Sequence, residues 1–275
     1  MTSRPLDGPR TDWADLRRVP LDFLRQTGAV ARAELRKIGR DPTEILSRSV
    51  QPVLWILIFG QVFARTRAIP TGNIGYLAFM TPGILAQSVL FTGIFYGIAI
   101  IWERDLGIVH KMLVSPAWRG ALVLGKAVAA GIKGILQGAV IYAIAAVLRV
   151  DLDLRPQAIL GVLVAVALGG AIFSTFSLIV ACLVKTRERF MGIGQVLTMP
   201  LFFASNAIYP VQMMPHWLQV VSRGNPLTYL VDALRGLMLR GARPELGLPL
   251  DGAVLVGALA VLIAISSRLY PAVAR

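Results

Sequence analysis

The chain has 275 residues, 56% apolar and 16% charged, against about 45–50% and about 25% in soluble globular domains. Too few charges remain to cover a core of that size, which excludes a soluble fold. The 28 basic and 15 acidic residues give a net charge of +13; in a chain with several membrane segments, that excess reflects basic residues gathering in cytoplasmic connections, so nucleic acid is not an expected partner.

In chain order, residues 1–48 read as a hydrophilic cytoplasmic segment with ten Arg or Lys and seven Asp or Glu, and no cleavable leader is expected. Within it, Leu21, Leu24, Gly28, Ala31, Leu35 and Ile38 recur at spacings of three and four, one helical stripe. Arg25, Arg32, Arg36, Lys37 and Arg40 fall off that stripe. The pattern predicts an interfacial helix over 17–40, apolar side in the acyl boundary and basic side toward anionic headgroups. A solvated helix packed on a soluble partner fits the same pattern. Asp41-Pro42 ends the helix.

Residues 49–275 read as one all-α membrane domain of six transmembrane helices. No Arg, Lys, Asp or Glu occurs over 68–102 or 156–184, runs longer than the ~20 residues a helix needs to cross a bilayer. The expected spans are Ser49–Ala64, then stretches within Tyr76–Ile101, Ala121–Leu148 and Ile159–Val184, then Met191–Tyr209 and Gly252–Leu269. Counted over the connections, eighteen basic residues fall on the side of the N-terminus and eight on the other. Both termini are therefore expected in the cytoplasm of a multi-pass cell-membrane protein.

The connection Trp102–Gly120 is longer than joining two helices requires. It opens with charges, continues as a short amphipathic piece containing Leu106, Val109 and Leu113, and stops at Ser115-Pro116. Such a helix, parallel to the membrane, suits docking a soluble protein. The outer stretch 210–251 is too long and apolar for a plain loop. Pro215–Val221 and Leu227–Leu239 read as the two arms of a re-entrant helical hairpin. Asn225-Pro226 starts the second arm, and Leu227, Leu230, Val231, Leu234 and Met238 share one face.

Candidate chemistry is sparse. Gly120–Ala127 nearly matches G-x-x-x-x-G-K-[ST], but Ala127 lacks the Mg²⁺-binding hydroxyl and the segment starts a membrane helix. No catalytic motif is evident, no metal site is expected, and the lone Cys182 permits no internal disulfide. Lys126 and Lys133, seven apart, share a face of the third span. Lys126 is within reach of the inner interface by snorkelling, whereas Lys133 lies near mid-bilayer, where it should face protein or water. Gly93 with Gly97, and Gly134 with Gly138, form small-xxx-small faces suited to close helix packing within one chain or between copies. Phe91, Phe95, Tyr96, Met199, Phe202 and Phe203 are candidate linings of an apolar path, or lipid-facing residues.

Three motifs together resemble the membrane subunits of type-2 ABC exporters, the group of daunorubicin-resistance-type and nodulation or polysaccharide-export permeases. They are Gln51-Pro52-Val53-Leu54-Trp55, the stretch Trp102–Lys126 with Leu113, Ser115-Pro116 and Gly125-Lys126, and Asn225-Pro226-Leu227-Thr228-Tyr229 before Arg235-Gly236. The resemblance covers the chain from about Arg32 onward and is strongest to the drug-resistance branch. It implies a permease without a nucleotide site of its own and a second permease copy. It also implies two separately encoded ATPase subunits, which use the ATP and Mg, while this chain binds no cofactor. It assigns 103–116 as the coupling helix, with Glu103, Arg104, Asp105, Gly107, His110, Lys111 and Arg119 facing the ATPase, and 17–40 as the connecting helix. It assigns the outer hairpin, with Asn225, Pro226, Tyr229 and Arg235, to the exit, and a hydrophobic or amphipathic drug, lipid or lipid-linked glycan as cargo. Reversing Glu103 and Asp105 to Lys is then expected to uncouple hydrolysis from transport without affecting membrane insertion. An ion-gradient transporter or a membrane-embedded enzyme is the alternative. The first usually carries midplane carboxylates, which the six expected spans lack, and the second needs convergent catalytic groups.

Overall fold

A computed structural model of the chain describes residues 13–40, 43–66, 69, 71, 74–109, 114, 118–184 and 186–270; the side chains of 13–21, 38–40, 44–46 and 66 are outside that description. Among the described residues there is no β-strand, only an isolated antiparallel bridge between Leu152 and Leu239. The helices are α1 (Trp13–Arg40), α2 (Thr43–Leu54), a π-helical turn (Trp55–Gly60), α3 (Gln61–Thr66), α4 (Tyr76–Asp105), α5 (Arg119–Val147), α6 (Pro156–Leu183), α7 (Arg187–Phe203), α8 (His216–Arg223), α9 (Pro226–Met238) and α10 (Leu248–Leu269). Four of them, α4, α5, α6 and α10, are long and apolar enough to cross a membrane. The chain is an all-helical, multi-pass membrane protein.

Two expected spans differ in extent. The first is not confined to 49–64: α2, the π turn and α3 run without a break from Thr43 to Thr66. Pro52 lies inside α2 and withdraws an N–H from the ladder; the wide π turn follows it directly. The fifth is α7, displaced from the expected 191–209. Thr186 caps its start by accepting from the Arg189 amide at 3.4 Å. Its last turn ends at Ala204, where Asn225 Nδ2 donates to the carbonyls of Leu201 at 2.7 Å and Ala204 at 3.3 Å, satisfying acceptors the helix leaves open. The non-helical segment that follows carries buried Ser205, Asn206 and Ala207, so irregular backbone here is covered by protein.

Helix α4 is central, packing against α5, α6, α7 and α9. Its apolar face joins those of α6 and α9 in the main core, around Ile84, Leu85, Val89, Phe173, Leu230 and Leu234. Glycine permits the close approaches. A Cβ on Gly131 of α5 would lie 2.8 Å from the Ala167 carbonyl oxygen of α6. One on Gly93 would lie 2.6 Å from Phe173 Cβ, and the Gly97 amide donates to Ser177 Oγ at 3.0 Å. Gly134 meets Val166 and Gly138 meets Leu85. Of the two readings of the small-residue faces, the structure shows packing within one chain.

The stretch expected to form a hairpin holds α8 and α9. Asn225 caps α9 by accepting from the Leu227 amide at 3.0 Å, and Pro226 takes the first turn. The expected face of Leu227, Leu230, Val231, Leu234 and Met238 is fully buried.

Adding one methyl therefore has opposite effects at two glycines. Gly131→Ala forces helices apart and is expected to lower the thermal midpoint, by about 1–3 kcal/mol of overpacking. Gly192→Ala on α7 meets no neighbour and is expected to hold or raise it by up to about 1 kcal/mol of helix propensity. Thermal denaturation of the two variants in detergent checks this.

Candidate functional site

The buried polar groups of the inner half converge where α1, α4 and α5 meet. α1 lies along α5 because both faces are small: a Cβ on Gly125 would fall 2.8 Å from the Thr27 carbonyl oxygen and 2.7 Å from Val30 Cβ. The buried face of α1 is thus Thr27, Ala31 and Glu34, while Leu24 is 62% exposed. Of the expected stripe, Ala31 is buried in this contact while Leu24 is left exposed; helix contact selects small residues and an ion pair over bulk. The side chains of Leu21 and Ile38 lie outside the described residues.

Four charged groups close a ring there. Lys126 Nζ lies 2.9 Å from Glu34 Oε1 and 2.6 Å from Glu103 Oε2. Lys37 Nζ lies 3.2 Å from Glu34 Oε2 and 2.5 Å from Glu103 Oε1. Each carboxylate spends one oxygen on each ammonium, so the ring is neutral and both oxygens of each acid are engaged. The side chains of Lys126, Glu34 and Glu103 are 3%, 6% and 7% exposed, and that of Lys37 is 55% exposed. Lys37 is the corner that meets water. Burial alone pushes the Glu34 carboxyl up; the ammonium of Lys126, and then that of Lys37, outweighs it and brings the group from 4.5 down to about 2.

This corrects two expectations. Lys126 does not snorkel to the interface but is enclosed by carboxylates and packed 5.9 Å from the Tyr96 ring centroid. Glu103 is not a surface charge: α4 continues past Ile101 to Asp105 and turns that carboxylate into the ring. A Glu103→Lys reversal would put a third cation beside Lys126 and Lys37, so its effect would be loss of packing rather than selective uncoupling. The residues 120–127 are α-helical throughout, which removes the phosphate-loop geometry their spelling suggested.

Nearer the surface, Arg104 and Asp105 remain exposed or half-exposed. Asp105 accepts from Arg104 at 3.1 Å and from Arg187 at 2.8 Å, and the Arg187 guanidinium stacks 3.8 Å over the Trp102 ring. These contacts tie the inner ends of α4 and α7. Gly107 takes a left-handed φ of +71° that stops α4, where a Cβ would be strained. Val109 is buried, while Leu106 is 66% exposed, the reverse of an inward role for Leu106. His110 and Lys111, with most of 110–117, lie outside the described residues. Arg119 opens α5 and is exposed, and the Trp118 amide donates to Gln26 of α1 at 2.9 Å. On α1, Arg25, Arg32 and Arg36 are exposed, and the Arg40 side chain lies outside the described residues.

Beside the ring opens a cavity of about 1010 Å³ whose lining includes Arg48, Thr92, Phe95, Tyr96, Trp102 and Lys133. Lys133 Nζ is 5.7 Å from the centroid of Tyr96, and Arg48 is 6.0 Å from that of Phe95. Phe91 stacks behind Phe95 at 6.1 Å. The other candidate path residues are elsewhere. Phe202 is buried edge-on against Trp55 at 6.1 Å, and Met199 is exposed on α7. At the outer end, the Arg235 guanidinium is buried over the Phe79 ring at 3.9 Å and donates to the Asn206 carbonyl at 2.7 Å; Tyr229 donates to the Arg223 carbonyl at 2.7 Å. Asp251, in the first turn of α10, is fully buried. Sequence reasoning missed Glu34 and Arg48. Glu34 was visible as a single acid between four bases of α1; Arg48 gave no signal beyond its place at a span boundary.

The ABC-2 type transporter family model matches residues 25–239. The chain belongs to that family and is the membrane subunit of an ABC transporter, a permease and not an enzyme, whose ATPase is a separate subunit. It is 28% identical over 217 residues to the transport permease ycf38 of Cyanophora paradoxa, covering 78% of this chain and 74% of that one. It is 24% identical over 229 residues to the daunorubicin resistance ABC transporter permease protein DrrB1 of Streptomyces coeruleorubidus, covering 83% and 80%. To Nodulation protein J of Rhizobium leguminosarum bv. trifolii it is 30% identical over 170 residues, 61% and 64% of the two chains.

Removing one ammonium from the ring leaves two acids buried without their shared partner, so Lys126→Met is expected to cost about 3–5 kcal/mol of stability. Lys37→Met, at the wet corner, should cost clearly less. The Glu34 pKa is depressed, so its contribution is present above pH 4.5 and is lost as pH falls from there toward about 2. A thermal midpoint that declines over that window in the parent, and declines less in Glu34→Gln, is the expected result.

Proposed function

We propose that this permease exports a hydrophobic or amphipathic substrate outward across the cytoplasmic membrane, driven by ATP and Mg²⁺ at two ATPase subunits docked on its inner face. The functional unit contains two permease copies. Each crosses the membrane six times, counting the Thr43–Thr66 helix and α7, with both termini inside. The interfacial helix and the Trp102–Gly120 connection receive the ATPases, and the α8–α9 hairpin borders the exit.

The observation that carries this reading is the buried ring joining α1, α4 and α5. ATP-driven closure of the ATPases biases the spans only if force at the inner face is transmitted and not absorbed locally. The ring fastens the two elements expected to touch the ATPase to the central helix and to α5. Support for a pair of copies comes from the family to which the chain belongs. Similarity to a permease named for daunorubicin resistance supports the outward direction.

The test is vanadate-sensitive transport of a candidate substrate by permease and ATPase reconstituted together with no ion gradient. Transport by the permease alone, or transport that survives vanadate, overturns the reading. In the same system Asp105→Lys, which breaks the exposed tie to Arg187 without entering the ring, is expected to keep ATP hydrolysis and reduce transport about tenfold, within the range of coupling energies.

A further inference from the structure

We infer that α8 lies flat in the membrane surface, with Trp217, Val220 and Val221 seated in the headgroup–acyl boundary of the surrounding lipid. Naming that leaflet the outer one rests on the topology proposed above; the lipid contact does not. The level of α8 is set at both of its ends. Before it, Gln212 Nε2 donates to Glu245 Oε1, and the amides of Glu245 and Leu246 donate to Asp232 of α9 at 2.9 and 2.8 Å. α10, long and apolar enough to cross a membrane, begins at Leu248. After α8, Asn225 Nδ2 holds the last carbonyls of α7, and the Tyr229 hydroxyl donates to the Arg223 carbonyl at 2.7 Å. α8 is therefore strung between the end of α7 and the start of α10, at the depth where α10 enters the bilayer.

Around α8 the side chains divide into sectors. Val220, Trp217 and Val221 fall within about 100° of arc at 3.6 residues per turn, and all three are exposed, Trp217 at 67%. On the far side, Ser222 is buried and lies 3.1 Å from the Thr228 hydroxyl, and Gln219 donates to the Met214 carbonyl at 2.9 Å. The helix thus spends these polar groups on protein and turns its apolar ones outward, the reverse of what water selects. His216 and Arg223, both exposed, border the apolar sector. An apolar sector with a basic edge is the pattern of a helix lying in the membrane interface. Trp prefers that depth because its indole body is apolar while its N–H reaches a polar partner. Leu248 and Leu250, exposed on the first turn of α10, carry the same apolar band to the level of α8. A second permease copy is the competing cover. Three side chains on one eight-residue helix fall well short of the about 800 Å² per partner that a stable protein interface buries, whereas lipid needs no minimum area.

With Trp13, Trp55, Trp102 and Trp118 replaced by Phe, Trp217 is the single tryptophan. Its fluorescence is read in nanodiscs of phosphatidylcholine brominated at one of two depths in the acyl chain. Bromines near the head of the chain are expected to quench it about threefold more strongly than bromines near the end, since an interfacial helix sits only ~5–10 Å into the headgroup–acyl boundary. Acrylamide in the water should quench it weakly. Stronger quenching by the deep bromines overturns the inference in favour of a re-entrant arm. Quenching by acrylamide and by neither lipid overturns it in favour of water. Quenching by none of the three assigns the face to protein, a second copy included, and overturns it as well. The signal of the parent minus that of Trp217→Phe measures the same depth ratio in a chain that keeps the other four tryptophans, and a different ratio there also overturns it. Sidedness is read separately. Gly224→Cys, at an exposed position, in a Cys182→Ser chain is expected to react with an impermeant maleimide on whole cells. Reaction only in inverted vesicles overturns the proposed topology while the lipid contact stands, so the two readings fail independently.

Discussion

The ring of Lys126, Glu34, Lys37 and Glu103 is the constraint on which the inner half of this permease depends. Two acids and two amines, three of them buried, can be held away from water only if every charge meets its opposite at hydrogen-bonding distance. That requirement positions three elements at once. It sets the register of α1 along α5, extends α4 past the end of its apolar run, and fixes the point where the chain leaves for the connection after Gly107. A hydrophobic contact of equal area would tolerate sliding; alternating charges do not.

Outward from the ring, the molecule is organised by how closely backbones approach α4 and α6. Glycines at 93, 131 and 170 let helices touch at backbone distance, where van der Waals contact replaces the hydrophobic drive that lipid does not supply. The hairpin of α8 and α9 then closes the outer end, with Asn225 bonding both its own helix and the last carbonyls of α7. One asparagine thus joins the fifth expected span to the hairpin. α10, by contrast, carries exposed Val256, Val261 and Ile265 and presents most of its surface to whatever surrounds the chain.

Much of this was legible in the residues. The charge-free runs gave the long apolar helices, Asn225-Pro226 gave the start of α9, and the stripe from Leu227 to Met238 gave its buried face. Lys126 and Lys133 were placed on one face by their spacing, and both stand over Tyr96. The helix over 17–40 was expected from its stripe, but the face by which it docks on α5 was not read from it. Periodicity ranks residues by apolarity, and beside Ala31 of the stripe α1 docks through Thr27 and Glu34, which rank low. Glu103 was read as a surface charge because it follows the apolar run by two residues; nothing local says that its helix continues.

By itself the sequence determined the class of molecule: an apolar chain with clustered basic residues, helical by periodicity, whose three ordered motifs match a permease family. Those properties are local or additive, so they survive being read one window at a time. The tertiary structure alone decided which charges are partners and which are exposed. Glu34, Glu103 and Lys126 are separated by 69 and 23 positions along the chain, and a lone charge in a membrane protein is ambiguous until the group that neutralises it is brought alongside. Pairing of that kind is a property of packed helices, fixed by close approach at Gly125 and Gly131 and by no run of neighbouring residues.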